Sequence, residues 1–240
     1  MGSSHSQICL PHKIELGRND NLETFFQDKR FIPTAFFREE TLYCLLEKKI
    51  LPYVIRKKRQ TRRKIRVWSV GCSSGQEVYS LTIIILKALK EVDEDIPSWY
   101  LRVHGTDLNE SSIEIAKTGE YRLSREEREK MKPFLNYFEY SSKNQIRMRD
   151  DLRRIAQFHC QDVFNPPLIG NFDIIICFHL LMYYQDNAKM QIVSTLKEVL
   201  NEDGYLFLDS ITAKEMKSVG FREFRQKGIY RKQPEEDKKC

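Results

Sequence analysis

Two spacings of hydrophobic residues alternate along the chain and predict an α/β fold. Strands are predicted at 65–70, 100–105, 156–162, 172–177 and 205–208. The segment 172–177 is nearly all apolar, as is typical of a central parallel strand. Between these strands, apolar residues recur at three- and four-residue steps, as helices require. This alternation favours a mostly parallel sheet with helices on both faces.

Capping and turn-forming residues predict the boundaries of these helices and strands. Asn109 is expected to cap a helix and Gly119 to end it, and a helix is expected over 187–200. Asp203-Gly204 is expected to form a turn before the strand at 205–208.

The two ends of the chain depart from the alternation. A helix is predicted over 39–55, and Pro52 is expected to kink or restart it. The segments 221–224 and 229–231 could add an antiparallel pair of strands at the C-terminal edge of the sheet.

A third departure lies between residues 122 and 155. Here a charged helix at 126–132 precedes two short strands at 137–140 and 145–148, which predicts a small hairpin insertion.

We therefore expect three parts in the chain. Residues 1–11 form a disordered or tag-derived tail, and 12–60 form an N-terminal helical segment. Residues 61–240 form the main domain, with the insertion at about 122–155.

Composition indicates in which part of the cell the protein is expected. Of 240 residues, 41% are hydrophobic, which is enough for a core, and the formal net charge is +6. The six cysteines include no CxxC pair, so the sequence predicts neither a disulfide scaffold nor a metal site. The longest apolar stretch, 174–184, is too short to span a bilayer, and no signal peptide is evident. We therefore expect a cytoplasmic protein, monomeric, without membrane insertion.

Candidate chemistry lies where predicted strands end, because ligands of open parallel sheets bind beyond the carboxyl ends of the strands. The turn from Gly71 to Gly75 allows close backbone approach to a ligand, although it could also be only a tight connection. Asp107 could accept hydrogen bonds from two ribose hydroxyls, or cap a helix. Gln161 and Asp162 could contact an adenine, or Asp162 could form a turn.

The segment after the central apolar run offers further candidates. Phe178 could line a pocket or pack in the core, and Tyr183 could orient a substrate. His179 could act as a general base or remain a packed, neutral side chain.

A dense basic run covers residues 56–66. It is compatible with a solvated helix end, with attraction of an acidic protein helix, or with phosphate contacts to nucleic acid. Charge density alone does not separate these alternatives, although nucleic acid is the one we expect least.

Six segments stand out, in this order along the chain: 34–39 (TAFFRE), 67–80 (VWSVGCSSGQEVYS), 105–109 (GTDLN), 118–121 (TGEY), 172–184 (FDIIICFHLLMYY) and 203–208 (DGYLFL). Together they resemble the signatures of the CheR family, the chemotaxis receptor methyltransferases. The chain departs from the family pattern at Phe178-His179, where the family has Arg-Asn.

This resemblance implies a class I S-adenosylmethionine (SAM) methyltransferase fold, with S-adenosyl-L-homocysteine as product. It implies methyl transfer to glutamate carboxylates on the cytoplasmic helices of a chemoreceptor. The rival hypotheses are a non-catalytic cofactor sensor that docks a partner, and a methyltransferase for RNA or a small molecule.

The resemblance also assigns roles to individual residues. Tyr183 would lie beside the reacting methyl group, and Arg38 would pair with the cofactor's carboxylate, so these two are the candidate catalytic residues. The candidate cofactor-binding residues are Thr34, Arg38, Gly71, Glu77, Asp107, Gln161, Asp162, Phe178 and His179.

Overall fold

The structure is a computed structural model that describes residues 34–166 and 170–233. The predicted tail at 1–11 and the part of the helical segment before residue 34 lie outside the described residues. Among the residues described, no helix is both long enough and apolar enough to cross a bilayer.

Strands and helices alternate as the hydrophobic pattern predicts. The strands are β1 (Lys64–Val70), β2 (Tyr100–Asp107), β3 (Glu120–Arg122), β4 (Phe138–Ser142), β5 (Gln145–Met148), β6 (Ala156–Cys160), β7 (Phe172–Cys177), β8 (Leu200–Leu208), β9 (Phe221–Phe224) and β10 (Gln226–Lys232). The α-helices are α1 (Glu40–Leu45), α2 (Leu51–Arg59), α3 (Gln76–Glu91), α4 (Glu110–Thr118), α5 (Arg125–Met131), α6 (Asp150–Ile155), α7 (Asp186–Val199) and α8 (Ala213–Ser218). Short 3-10 turns lie at Ile96–Ser98, Lys132–Tyr137 and Leu181–Tyr183.

Seven strands form the central sheet in the order β6-β2-β1-β7-β8-β10-β9. The pairs from β6 through β8 are parallel, and β10 runs antiparallel to both of its neighbours. The mostly parallel sheet and its antiparallel C-terminal edge are thus confirmed. Strand order reverses between β1 and β7, so a crevice is expected beyond their carboxyl ends.

The sheet separates two hydrophobic clusters. Successive strand residues point to opposite faces, so Val67 of β1 joins one cluster and Trp68 the other. Helix α3 covers the first face through residues such as Leu81 and Ile85, and α7 covers the second through Ile192. Packing on both faces explains why β7 is buried along its whole length.

The predicted irregularity at Pro52 is confirmed. A π-helical segment at Leu46–Ile50 joins α1 to α2, and Pro52 is the second residue of α2. Because proline has no N–H to donate to the preceding turn, the helical hydrogen bonding changes directly before it.

The insertion contains more than the predicted hairpin. β4 and β5 pair antiparallel as expected, and β3 pairs with the other edge of β5. Strand β3 has only three residues and α6 only six, too few to show a period.

Two predicted boundaries are wrong. β6 ends at Cys160, so Gln161 and Asp162 lie in the following loop. Asp203-Gly204 is not a turn, because strand β8 continues through it as a bulge. Leu200 pairs with Phe172 of β7 and Tyr205 pairs with Ile174, so five steps along β8 match only two along β7.

Candidate functional site

The glycine turn after β1 is built on left-handed backbone. Gly71, Ser73 and Gly75 have φ of +73°, +49° and +90°. The N–H of Gly71 donates to the carbonyl of Thr106 at 2.8 Å, which ties the turn to β2. The turn then opens directly into α3, so its backbone approaches the crevice.

Asp107 at the end of β2 completes this arrangement. Its Oδ2 accepts the N–H of Ser73 at 2.8 Å and its Oδ1 accepts the N–H of Asn109 at 2.9 Å. Burial raises the pKa of Asp107, and these backbone N–H groups act in the opposite direction. The carboxylate lines the crevice, within the reach of a ligand's hydroxyl groups.

Glu77 lies in the first turn of α3 and is a second buried carboxyl group. The hydroxyl of Ser69 donates to its Oε1 at 2.7 Å. Burial raises the pKa of Glu77 to about 7; the neighbouring Glu39 raises it further, while Arg38 and the Ser69 hydroxyl lower it. This carboxyl group therefore changes charge near neutral pH.

The segment before α1 crosses the crevice and is anchored by its two phenylalanines. Phe36 packs edge-on against Tyr121 with ring centroids 5.0 Å apart, and Phe37 stacks on Phe134 at 4.2 Å. The N–H of Phe37 donates to the hydroxyl of Ser80 at 3.0 Å. These contacts leave Thr34, Arg38 and Glu39 to line the crevice.

His179 joins this crossing segment to the sheet edge. Its Nε2 lies 2.9 Å from Oε1 of Glu39, and its Nδ1 lies 3.6 Å from Oδ2 of Asp209. Its backbone, at φ +58°, donates its N–H to the same Asp209 oxygen at 3.0 Å. Both imidazole nitrogens thus face carboxylates, which favours an anchoring role over that of a general base.

The predicted site residues converge with one exception. Those that line the crevice are Thr34, Arg38, Gly71, Glu77, Asp107, Gln161, Phe178, His179 and Tyr183. Asp162 is not among the lining residues, and its Oδ1 accepts the N–H of Phe164 at 3.1 Å, as a turn-forming aspartate does. Its assignment to the cofactor stays a prediction.

Sequence reasoning missed several lining residues. Glu39 and Tyr43 face the crevice one helical turn apart, and Tyr184 adds an aromatic wall against Phe164 with ring centroids 5.8 Å apart. Glu39 belongs to the TAFFRE segment that pointed to Arg38. The motif therefore marked this position, but it gave no reason to assign Glu39 a role of its own.

The lining matches the chemistry of SAM. Glu39, Glu77 and Asp107 outnumber the single Arg38, which suits a ligand with net positive charge. SAM carries a sulfonium and an ammonium group together with one carboxylate for the arginine. The apolar walls, including Phe178 and Leu180, suit its adenine ring. When bound, SAM would supply an electrophilic methyl group, and these residues would hold and orient it.

A switch-point crevice with this lining, in this strand order, defines a class I SAM-dependent methyltransferase. The family model "CheR methyltransferase, SAM binding domain" matches residues 33–219. The chain therefore belongs to the CheR methyltransferase family and binds SAM through that domain.

Relatives that carry the name of chemotaxis protein methyltransferase support this family assignment. The chain is 31% identical over 208 residues to a chemotaxis protein methyltransferase of Vibrio parahaemolyticus, covering 83% of this chain and 71% of the relative. It is 30% identical over 207 residues to that of Vibrio anguillarum, with the same coverage. Among solved structures it is similar to the magnesium protoporphyrin IX methyltransferase of Synechocystis PCC 6803 with bound SAM, at 16% identity, a TM-score of 0.42, and coverage of 85% and 82% of the two chains.

Proposed function

We propose that this protein methylates glutamate side chains on the cytoplasmic helices of a chemoreceptor, and therefore acts in the cytoplasm. The observation that carries the proposal is the lining of the crevice: carboxylates and Arg38 suited to SAM meet Tyr183 at one edge of the sheet. The relatives' names point to chemotaxis, and the family pattern in the sequence points to the glutamate acceptor.

Positioning is the main demand of this reaction. A glutamate carboxylate is ionised at neutral pH, so it attacks the methyl carbon in line without a general base. As the bond from the carboxylate oxygen to the methyl carbon forms, the bond from that carbon to sulfur breaks and sulfur keeps the electron pair. This fits a site in which His179 is engaged by Glu39 and Asp209.

We assign roles within this proposal to residues of the crevice. Asp107 holds the ribose of SAM, Arg38 pairs with its carboxylate, and Thr34, Glu77 and Gln161 complete the cofactor contacts. Tyr183 orients the acceptor oxygen from the 3-10 turn beyond β7. Met182 in the same turn is 50% exposed to solvent, so an incoming protein can contact it.

The test is a transfer assay with SAM labelled in its methyl group and chemoreceptor cytoplasmic fragments. We expect label on the receptor that mild base releases, since a carboxyl methyl ester hydrolyses readily. A receptor fragment with its glutamates changed to glutamine should take up none. Asp107→Asn should lose transfer, while Asp93→Asn, an equal charge change at an exposed turn, should retain it.

Other results would contradict the proposal in distinguishable ways. Tight SAM binding without transfer to any receptor fragment would favour the cofactor sensor. Base-stable label on RNA or on a small molecule would favour a different acceptor. At saturating SAM, where the pH dependence of cofactor affinity no longer affects the rate, a transfer rate that rises steeply between pH 6 and 8 would favour a general base over a positioning role for His179.

A further inference from the structure

A second concave surface lies at the opposite, amino-terminal edge of the central sheet. It encloses about 370 Å³, and its charged lining consists of five cations and one carboxylate: Lys57, Lys58, Arg62, Lys64, Arg66 and Asp173. We call this surface the basic groove. Arg66 of β1 lines this groove, and Gly71, directly after β1, lines the crevice. The two residues are five positions apart along extended chain, so the groove lies about 16 Å from the crevice.

Three elements bring these cations together. Lys57 and Lys58 stand in the last turn of α2, Arg62 lies in the connection after it, and Lys64 and Arg66 begin β1. The basic run of the sequence is therefore neither one exposed helix face nor an extended stripe. Five of its eight cations line this one concavity, while Arg59 pairs with Glu94 and Arg63 donates to the hydroxyl of Ser98.

The one carboxylate of the groove is already saturated. Asp173 has a side chain only 6% exposed and lies 2.6 Å from the ammonium of Lys58. It also accepts the backbone N–H of Arg66 at 2.9 Å and the amide of Asn201 at 2.7 Å. At the rim, Lys57 pairs with Asp203. Within 34–166 and 170–233, no carboxylate lies at ion-pair distance from Arg62 or Lys64.

The cations are held close together despite their repulsion. Arg66 stands directly opposite Arg102 in the β1–β2 ladder, where like charges are unfavourable. Burial lowers the pKa of Lys64, and Arg66, Arg62 and Lys58 lower it further. The repulsion between these cations lowers the stability of the free protein, and a bound anion would reduce that repulsion.

We propose that the basic groove binds a compact polyanion with two or more phosphate groups, of the size of a nucleoside triphosphate. Lysine ammonium and arginine guanidinium groups are the usual partners of phosphate, and the enclosed volume suits a small molecule. The surplus of cations over carboxylates matches more than one phosphate charge.

The neighbouring aromatic residue opposes a single-stranded nucleic acid as the occupant. Tyr100 is half exposed beside the groove, but its ring is contacted by Lys64 at 5.1 Å and by Arg102 at 4.7 Å. Base stacking needs an open aromatic face, and here cations already occupy the ring.

The test is calorimetric titration of the full chain with inorganic tripolyphosphate at 150 mM NaCl. We expect saturable binding at one site per chain, weakened at least tenfold in the double variant Arg62→Gln/Lys64→Gln. The matched control is Lys48→Gln/Lys49→Gln, which removes the same charge from exposed positions of the π-helical segment and should bind like the wild type. Unchanged SAM affinity in both double variants would show that the crevice is intact.

Nucleoside triphosphate and oligonucleotide arms identify the ligand further. ATP binding more tightly than tripolyphosphate would identify a nucleotide site, and equal binding would identify a site for the phosphate chain alone; both support the proposal. Absence of saturable binding, or equal weakening in the two double variants, would overturn it. A ten-nucleotide oligothymidylate that binds more tightly than tripolyphosphate would also overturn it, in favour of nucleic acid.

Discussion

Glu77 and Asp107 are both buried carboxyl groups of the crevice, but their surroundings differ. Two backbone N–H groups fix Asp107, whereas Glu77 accepts one hydroxyl and has the carboxylate of Glu39 nearby. Asp107 is therefore built as a fixed acceptor, and Glu77 as a group whose charge depends on its ligand.

Replacing Asp107 with asparagine should weaken SAM binding at least tenfold, or about 1.4 kcal/mol, because a charged acceptor of hydrogen bonds is lost. Calorimetric titration measures this directly, with Asp93→Asn as the control for loss of one negative charge. An affinity equal to that of the wild type would refute the assignment of Asp107 to the ribose.

The affinity for SAM should fall as pH falls. Glu77 has a pKa of about 7 in the free protein, so at pH 7.5 it is mostly ionised and at pH 6 mostly protonated. Since only the ionised form attracts a cation, affinity at pH 6 should be several-fold, approaching tenfold, below that at pH 7.5. Titrations at the two pH values measure the ratio.

The matched variant for this prediction is Glu77→Gln, which keeps the shape of the side chain and removes the charge. It should bind SAM more weakly than the wild type at pH 7.5 and show a much flatter dependence on pH. An equally steep dependence in Glu77→Gln would assign the effect to another group.

At the scale of elements, the turn from β1 into α3 tolerates little change at Gly75. A Cβ atom on Gly75 would lie 2.7 Å from the Cβ of Ala116 and 2.9 Å from the ring of Phe158, and its φ is +90°. Strain and overlap therefore add at this one position, which joins the first strand to the helix that carries Glu77.

Gly75→Ala should lower the free energy of unfolding by about 2–4 kcal/mol, through backbone strain and overpacking together. Gly170→Ala is the control, because among the residues that the structure describes a Cβ there meets no atom within 4 Å, and no left-handed φ is recorded for Gly170. We expect it to change stability by less than about 0.5 kcal/mol. Urea unfolding of the two variants would contradict the prediction if their midpoints were equal.

The helices and strands that the sequence predicted best are those with a clear pattern of hydrophobic residues. Helix α3 and strand β7 appear where their hydrophobic patterns indicate, and Asn109 and Gly119 bound α4 as predicted. Strand β3 is too short to show a pattern. The bulge at Gly204 resembles a turn locally, and only pairing with β7 makes it part of a strand.

At the scale of the whole molecule, the crevice is shared between the crossing segment before α1 and the carboxyl edge of the sheet. Because Thr34 and Tyr183 both line it, a ligand there would contact chain segments far apart in the sequence. Its binding should therefore stabilise the fold against global unfolding, not only a local turn.

SAM at 100 times its dissociation constant should stabilise the protein by about 2.7 kcal/mol. For a chain of this size, this corresponds to a rise of roughly 5–10 °C in the unfolding temperature. Thermal unfolding followed by calorimetry tests this value, and Asp107→Asn at the same SAM concentration should show a clearly smaller rise. Identical shifts in the two proteins would place the cofactor elsewhere.

The sequence by itself determined the fold class, the positions of the main strands along the chain and nine of the residues that line the crevice. Hydrophobic period is a local property, and the carboxyl ends of parallel strands meet at one edge whatever the details of packing. Gly71, Asp107 and Tyr183 could therefore be placed at the same site from their positions after predicted strands alone.

Only the tertiary structure decided how these groups interact. Burial raises the pKa of Glu77, and His179 lies between Glu39 and Asp209, because residues distant in sequence pack there. Five cations of the basic run likewise line one groove, because the end of α2 and the start of β1 lie together beside Asp173. Distances between side chains, and the solvent that packing removes, depend on contacts across the whole chain, which no local pattern encodes.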